Sequence, residues 1–202
     1  MRKIFFALLF IVSAMVNAQV TAIDRYPIVP AAYNAVFVDH VKDYVAGVAK
    51  TEEGQYFGQI SESQEIYGFG SFVTTKDEAI YGQYRKGEFL MGIKMCVDHA
   101  LVGNNKHYIY YDLATGEPQY IVKDGQKYEV ALEYRKSHRF VTLTYENGDK
   151  YVGETTTGER DGYGLYFYKD GNYYYGKYSK NKRVEVGAMF HTNNIVTAMF
   201  WE

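Results

Sequence analysis

The stretch from Gly148 to Tyr178, GDKYVGETTTGERDGYGLYFYKDGNYYYGKY, contains two copies of one unit laid end to end. Gly148, Tyr151 and Gly153 recur as glycine, tyrosine and glycine 23 residues later, without a gap. A fixed period of this size is typical of repeat proteins, in which one unit buries its apolar face only against a neighbouring unit. The sequence therefore predicts a repeat architecture.

Each unit is most simply one β-hairpin. Aromatic-rich runs at 165–168 and 173–178 flank Asp170-Gly171, a pair that tolerates the positive φ angles of a tight turn. Turn-forming pairs recur at steps of 23 residues, at Asp124-Gly125, Asn147-Gly148, Asp170-Gly171 and Asn193-Asn194. Two earlier hairpins are predicted at Glu53-Gly54 and Asp77-Glu78, one residue further apart. We therefore expect an all-β protein.

Glycines alternate with aromatic residues along the predicted strands. Tyr174, Gly176 and Tyr178 point to one face of their strand, where the glycine leaves room between two rings. On the preceding strand, Gly162 and Gly164 would let rings from a neighbouring hairpin approach the backbone closely. The pattern predicts that aromatic rings fill notches made by glycine.

These motifs resemble the membrane occupation and recognition nexus (MORN) repeat, whose pattern is Tyr-x-Gly-x-aromatic followed by Gly-x-Gly and a turn glycine. The resemblance is strongest from Gly148 to Arg183, and the segment from Gly158 to Gly164 is similar to the family's linker between hairpins. It implies an elongated, twisted antiparallel sheet of successive hairpins, with a scaffolding or binding role and no chemistry of its own.

The N-terminal part of the chain differs from the repeats. Residues 1–18 have the layout of a secretory signal peptide, with Arg2 and Lys3, an apolar run and a small-residue cleavage site that ends at Ala18. Residues 19–46 form an N-terminal segment, and an apolar spacing that runs from Tyr33 to Val48 predicts a short capping helix. A competing interpretation makes 47–52 a strand. The repeat domain then covers 47–202, and we expect a secreted or periplasmic cell-envelope protein.

Composition narrows the classes of partner and the source of stability. The formal net charge is -2, which does not suit a nucleic-acid-binding protein, because such proteins need lysine and arginine on phosphates. Cys96 is the single cysteine, so no disulfide forms within the chain. We therefore expect stability to come from packing alone.

The 22 tyrosines have two interpretations. They are sheet-forming residues packed ring on ring, or they form a row that binds an extended peptide, a glycan or lipid head groups. Under the second interpretation the candidate binding residues are Tyr151, Tyr166, Tyr168, Tyr174, Tyr178 and Trp201.

The C-terminal hairpin is unusual because residues 187–201 contain no Lys, Arg, Asp or Glu. Edge strands normally carry charges, since their free backbone groups pair readily with another chain. We expect this hairpin to be covered by a second copy of the protein or by another protein partner.

Residues suited to catalysis or metal binding are few. Cys96, His99 and His107 offer at most three ligands, fewer than the four of a usual structural zinc site. Asp98-His99 and Asp39-His40 are sequence neighbours, which point to opposite faces if they lie on a strand. We expect no catalytic residues, no metal and no cofactor.

The leading hypothesis is thus a non-catalytic scaffold or binding module that acts through its aromatic sheet face and its C-terminal hairpin. The alternative is a module that binds an envelope glycan or a lipid surface. A third hypothesis is a hydrolase that uses the irregular residues 93–112.

Overall fold

The computed structural model describes residues 44–61, 63 and 65–201. They form fifteen strands and one short helix, α1 (Leu132–Ser137). The first sheet contains β1 (Tyr44–Thr51), β2 (Gly54–Ser61), β3 (Ile66–Thr74), β4 (Ala79–Arg85), β5 (Glu88–Met95), β6 (His99–Gly103), β7 (His107–Asp112), β8 (Pro118–Lys123) and β9 (Gln126–Glu129). The second sheet contains β10 (His138–Thr144), β11 (Lys150–Thr156), β12 (Glu159–Phe167), β13 (Tyr173–Ser179), β14 (Lys182–Phe190) and β15 (Val196–Trp201).

Within each sheet, every strand pairs with its neighbour in sequence, so both sheets are antiparallel meanders of hairpins. The predicted all-β hairpin architecture is confirmed. Five-residue loops at 74–78, 145–149, 168–172 and 191–195 close with the same pair of backbone hydrogen bonds. In each loop the fourth residue has a left-handed φ, and these residues are Asp77, Gly148, Gly171 and Asn194. The turn residues of the repeat therefore adopt the left-handed conformation that their residue types tolerate.

The hairpins do not form the one continuous sheet that the repeat pattern predicts. The ladder ends after β9, and the chain passes through α1 before β10 begins the second sheet. The two sheets pack face to face around a shared core, in which the ring centroids of Phe57 and Phe190 are 6.1 Å apart. The reason is that the strands carry large apolar side chains on both faces, and one face of each sheet is buried against the other.

Glycines line up across the strands. Gly47, Gly58, Gly70, Gly82, Gly92 and Gly103 are successive register partners from β1 to β6. Gly153, Gly164 and Gly176 form the equivalent row in β11 to β13. These rows give the backbone of each sheet a strip without side chains, against which rings can lie.

The predicted N-terminal helix falls mainly on residues outside the described ranges, and so does the signal sequence. Where the helical spacing reaches described residues it is wrong, because residues 44–51 form β1. The competing strand interpretation of 47–52 is correct, although the strand begins at Tyr44 and ends at Thr51. Pairing of Gly47 with Gly58 supplies ladder hydrogen bonds, which override a helical spacing of apolar residues.

Candidate functional site

The six candidate binding residues come together on the outer face of the six-stranded sheet. Tyr151, Tyr174 and Tyr178 are 0%, 0% and 1% exposed and form the centre of one cluster. Tyr166, Tyr168 and Trp201 pack against them and are half-buried. We call these six residues the outer aromatic cluster. The alternation of tyrosine and glycine predicted this grouping for the five tyrosines, and the 23-residue period, which places Trp201 on Tyr178, predicted it for Trp201.

The buried tyrosines lie in the notches that the sequence predicts. A Cβ built on Gly164 would lie 2.6 Å from Cζ of Tyr151, and one on Gly187 would lie 2.6 Å from Cζ of Tyr174. The hydroxyl of Tyr151 donates a hydrogen bond to the carbonyl of Glu154 at 2.7 Å. Burial raises the pKa of Tyr178 to about 12. These rings hold the sheet together, and the half-buried members of the cluster are the ones that a ligand can touch.

Asp149 fixes one of the accessible rings. The hydroxyl of Tyr166 donates to Oδ2 of Asp149 at 2.9 Å, and the backbone N–H of Lys169 donates to Oδ1 at 2.9 Å. Burial, with the nearby carboxylate of Asp149 acting in the same direction, raises the pKa of Tyr166 to about 12. Tyr166 is therefore protonated and held in one orientation at neutral pH.

Two arginines lie over the cluster, and neither was among the residues predicted from the sequence. Cζ of Arg183 is 4.1 Å from the ring centroid of Tyr174 and 5.3 Å from that of Trp201. Cζ of Arg160 is 5.2 Å from the ring centroid of Tyr178. Guanidinium groups stack well on aromatic faces and stay charged. Arg160 and Arg183 are themselves 23 residues apart, so the repeat period was the signal that could have identified them.

The arginines are not neutralised by local acids. Within the described part of the chain, neither Arg160 nor Arg183 forms an ion pair within 4.0 Å of a carboxylate. Arg160 donates to the backbone carbonyl of Asn181 at 2.9 Å, and Arg183 donates to the hydroxyl of Tyr168. The face therefore combines apolar rings with two positive charges.

The strand β15 lies beside this cluster, at the edge of the six-stranded sheet. Met199 and Trp201 belong to the outer aromatic face, whereas Val196 and Ala198 point into the core between the sheets. Phe200 is 43% exposed. Charged residues are present in the other three edge strands, as Lys50 in β1, Lys127 and Glu129 in β9, and Arg139 in β10. β15 has none.

The irregular residues 93–112 fold into regular strands. Asp98 lies in the turn before β6 instead of on a strand, so its Oδ1 reaches Nδ1 of His99 at 2.5 Å. The expectation that these neighbours point apart is therefore wrong. Burial raises the pKa of Cys96 to about 11, which keeps the thiol protonated at neutral pH. In the described ranges no three His, Cys, Asp or Glu side chains are grouped to hold a metal ion.

Comparisons with known proteins do not assign this chain to a family. No protein-family model matches it, and no curated protein is significantly similar to it. The resemblance to MORN repeats thus stays a prediction from the sequence pattern. Among the residues described, no helix has the length and apolar character needed to cross a bilayer.

Proposed function

We propose that this protein is a non-catalytic binding and assembly module of the secreted space or cell envelope, built from MORN-like hairpins. It associates with a second polypeptide through its C-terminal hairpin. The observation that carries this proposal is the uncharged edge strand β15, which contrasts with the charged residues in the other three edge strands.

Charges on edge strands prevent unwanted pairing with other chains, because burying a lysine or arginine against a second strand costs free energy. β15 lacks this protection and also exposes a large aromatic side chain, Phe200. Among the described residues, β15 has a ladder partner on one side only, β14. A strand with these properties suits pairing with another chain.

The partner we infer is a second copy of the same protein. Pairing about a two-fold axis would place an uncharged strand against itself, so no like charges would meet. Trp201 and Phe200 lie on opposite faces of β15, and the pairing would therefore extend both the outer aromatic cluster and the core side of the sheet.

Light scattering on the protein that begins at Gln19 tests the proposal. We expect the mass of a dimer for the unmodified chain and the mass of a monomer for Thr197→Lys, since the new charge lies on β15. Thr142→Lys places the same charge on the opposite edge strand, β10, and should leave the dimer intact. A monomer mass for the unmodified chain, or a dimer in all three proteins, would contradict self-association through β15.

A second candidate function is binding of an envelope glycan or an anionic lipid surface. It is favoured by the charge of Arg183 beside the accessible rings of Tyr168 and Trp201, and by that of Arg160 beside the accessible ring of Tyr166. Aromatic rings suit sugars and head groups, and guanidinium groups recognise carboxylates and phosphates.

Glycan arrays and liposomes with and without anionic lipid test this second candidate. Arg183→Gln should weaken binding, whereas Lys182→Gln removes the same charge from an exposed neighbouring position and should preserve it. Equal binding by both variants would show that Arg183 does not take part in binding the glycan or the lipid surface. Variants at Tyr151, Tyr174 or Tyr178 are unsuitable, because these buried rings support the sheet itself.

A further inference from the structure

A cleft of about 290 Å³ opens on the outer face of the other, nine-stranded sheet. Its walls include Ile80, Phe89 and Leu101, and Gly103 and Tyr108 also line it. Lys94, whose Nζ is 2.8 Å from Oε2 of Glu78, lines it as well, together with Asn104 and Asn105. The volume is at the small end of the range for ligand pockets, roughly 300–1,000 Å³, and suits a single ring.

The repeat explains why the cleft is there. A tyrosine stands two residues before the row glycine in β2, β11 and β13, and these rings, Tyr56, Tyr151 and Tyr174, are all 0% exposed. In β4 and β6 the same position is aliphatic, as Ile80 before Gly82 and Leu101 before Gly103. Both aliphatic residues line the cleft.

The atoms nearest to the glycines differ in the same way. A Cβ built on Gly70, Gly164 or Gly187 would meet a tyrosine ring of the same sheet. At Gly82 the carbonyl oxygen of Met91 is the nearest atom, and Cε2 of Phe89 follows at 2.8 Å. At Gly103 the nearest atoms are backbone atoms of His107 and Tyr108. The cleft thus lies at two positions, 80 and 101, where the repeat predicts a tyrosine and the chain carries an aliphatic side chain, with the ring of Phe89 forming one wall.

We propose that this cleft binds one phenol ring, the side chain of a tyrosine presented by another polypeptide. The ring would lie among Ile80, Phe89 and Leu101, as the protein's own tyrosines lie over their glycines. In two of the three filled positions the hydroxyl donates to a backbone carbonyl, at 2.9 Å from Tyr56 to Gln59 and at 2.7 Å from Tyr151 to Glu154. The para-hydroxyl distinguishes this ligand from a purely apolar ring. The site is on the opposite sheet from β15 and does not depend on self-association.

NMR titration with p-cresol tests the proposal on the whole protein. We expect saturable shifts of the methyl groups of Ile80 and Leu101, with weaker shifts for toluene and none for cyclohexanol. Ile80→Tyr and Leu101→Tyr each introduce the tyrosine that β2, β11 and β13 carry at this position. Each should weaken p-cresol binding by about tenfold or more, because the added ring occupies the cleft. Leu143→Tyr adds the same ring to the outer face of the other sheet and should leave binding unchanged.

N-acetyl-tyrosine amide separates a peptide-borne ring from a free phenol. It should displace p-cresol, and failure to do so would overturn the assignment to a polypeptide partner. The whole proposal is overturned if p-cresol produces no saturable shifts at Ile80 and Leu101, or if cyclohexanol binds as well as p-cresol. The p-cresol titration uses the unmodified protein, so its outcome is valid even if neither tyrosine variant folds.

Discussion

The hydroxyl of Tyr111, in the nine-stranded sheet, lies 2.7 Å from a carboxylate oxygen of Glu154, in the six-stranded sheet. The second carboxylate oxygen accepts a hydrogen bond from the backbone N–H of Tyr163 at 2.8 Å. Glu154 is only 7% exposed, and burial raises the pKa of its carboxyl group above the ordinary value. A single buried acidic side chain thus joins the two sheets.

Stability should therefore depend on pH through Glu154. Because the pKa is raised in the folded state, its contribution to the free energy of unfolding is fully present below about pH 4.3 and is lost as pH rises through the folded-state pKa. A tenfold difference in proton affinity between the folded and unfolded states corresponds to about 1.4 kcal/mol. In Glu154→Gln this loss of stability with rising pH should disappear, because the amide does not ionise. The amide oxygen can still accept the hydrogen bond from the backbone N–H of Tyr163, as Oε1 of Gln59 accepts one from the backbone N–H of Phe69 at 2.8 Å.

Urea unfolding of both proteins from pH 4 to pH 8 measures the difference. We expect the unmodified protein to lose more stability than Glu154→Gln as the pH rises. Parallel pH profiles would show that Glu154 has the same proton affinity folded and unfolded.

Gly164→Ala should destabilise the protein by about 1–3 kcal/mol, the usual cost of overpacking a well-filled site. The added Cβ would overlap the ring of Tyr151, which has no room to move. Gly158→Ala is a control with open space around its Cβ and a φ of 87°, so it reports the cost of backbone strain alone, about 1 kcal/mol. If the two variants unfold at the same denaturant concentration, the notch does not constrain the ring.

The hydrogen bond between the Tyr173 hydroxyl and Oγ of Ser71, at 3.1 Å, crosses the buried space between the sheets. A double-mutant cycle with Tyr173→Phe and Ser71→Ala should give a coupling free energy of about 1 kcal/mol, typical of a buried neutral pair. Thermal or chemical unfolding of the four proteins provides the measurement. Additive effects would mean that the two sheets are not in contact at this position.

Arg183→Met should change the environment of Trp201, the single tryptophan, and lower stability by about 1 kcal/mol through loss of cation–π contacts. Tryptophan fluorescence reports the first effect directly. Lys182→Met, at an exposed position, is the control and should leave the emission unchanged. An unaltered spectrum in both variants would indicate that Arg183 does not lie over the indole.

The repeat period predicted the local structure well, since turn residues such as Asn147 and Asp170 act through their own backbone preferences. The division into two sheets was not predictable in the same way, because the period continues from Asp124 to Asn147 while the ladder breaks between them. Which face of a strand meets another sheet depends on contacts far apart in the chain. Trp201 could be assigned to the aromatic face because it lies 23 residues after Tyr178, one repeat period.

Buried polar groups were harder to predict than rings. Glu154 directly follows Gly153, and its sequence context is that of a solvated strand residue. The register shift after Gly153 nevertheless buries its side chain. Arg160 and Arg183 lie near turns, where charged residues are usually exposed. Their position over the rings is a consequence of sheet twist and packing, which a sequence pattern does not contain.

Hydrogen exchange of residues 196–201 at two protein concentrations tests the pairing of β15 most directly. Pairing of two copies through β15 predicts that amide protection in this segment increases with concentration, while protection in β9, a charged edge strand, stays constant. Thr197→Lys should abolish the increase and Thr142→Lys should retain it. Protection of 196–201 that is the same at low and high concentration would contradict the proposal that this strand joins two copies of the protein.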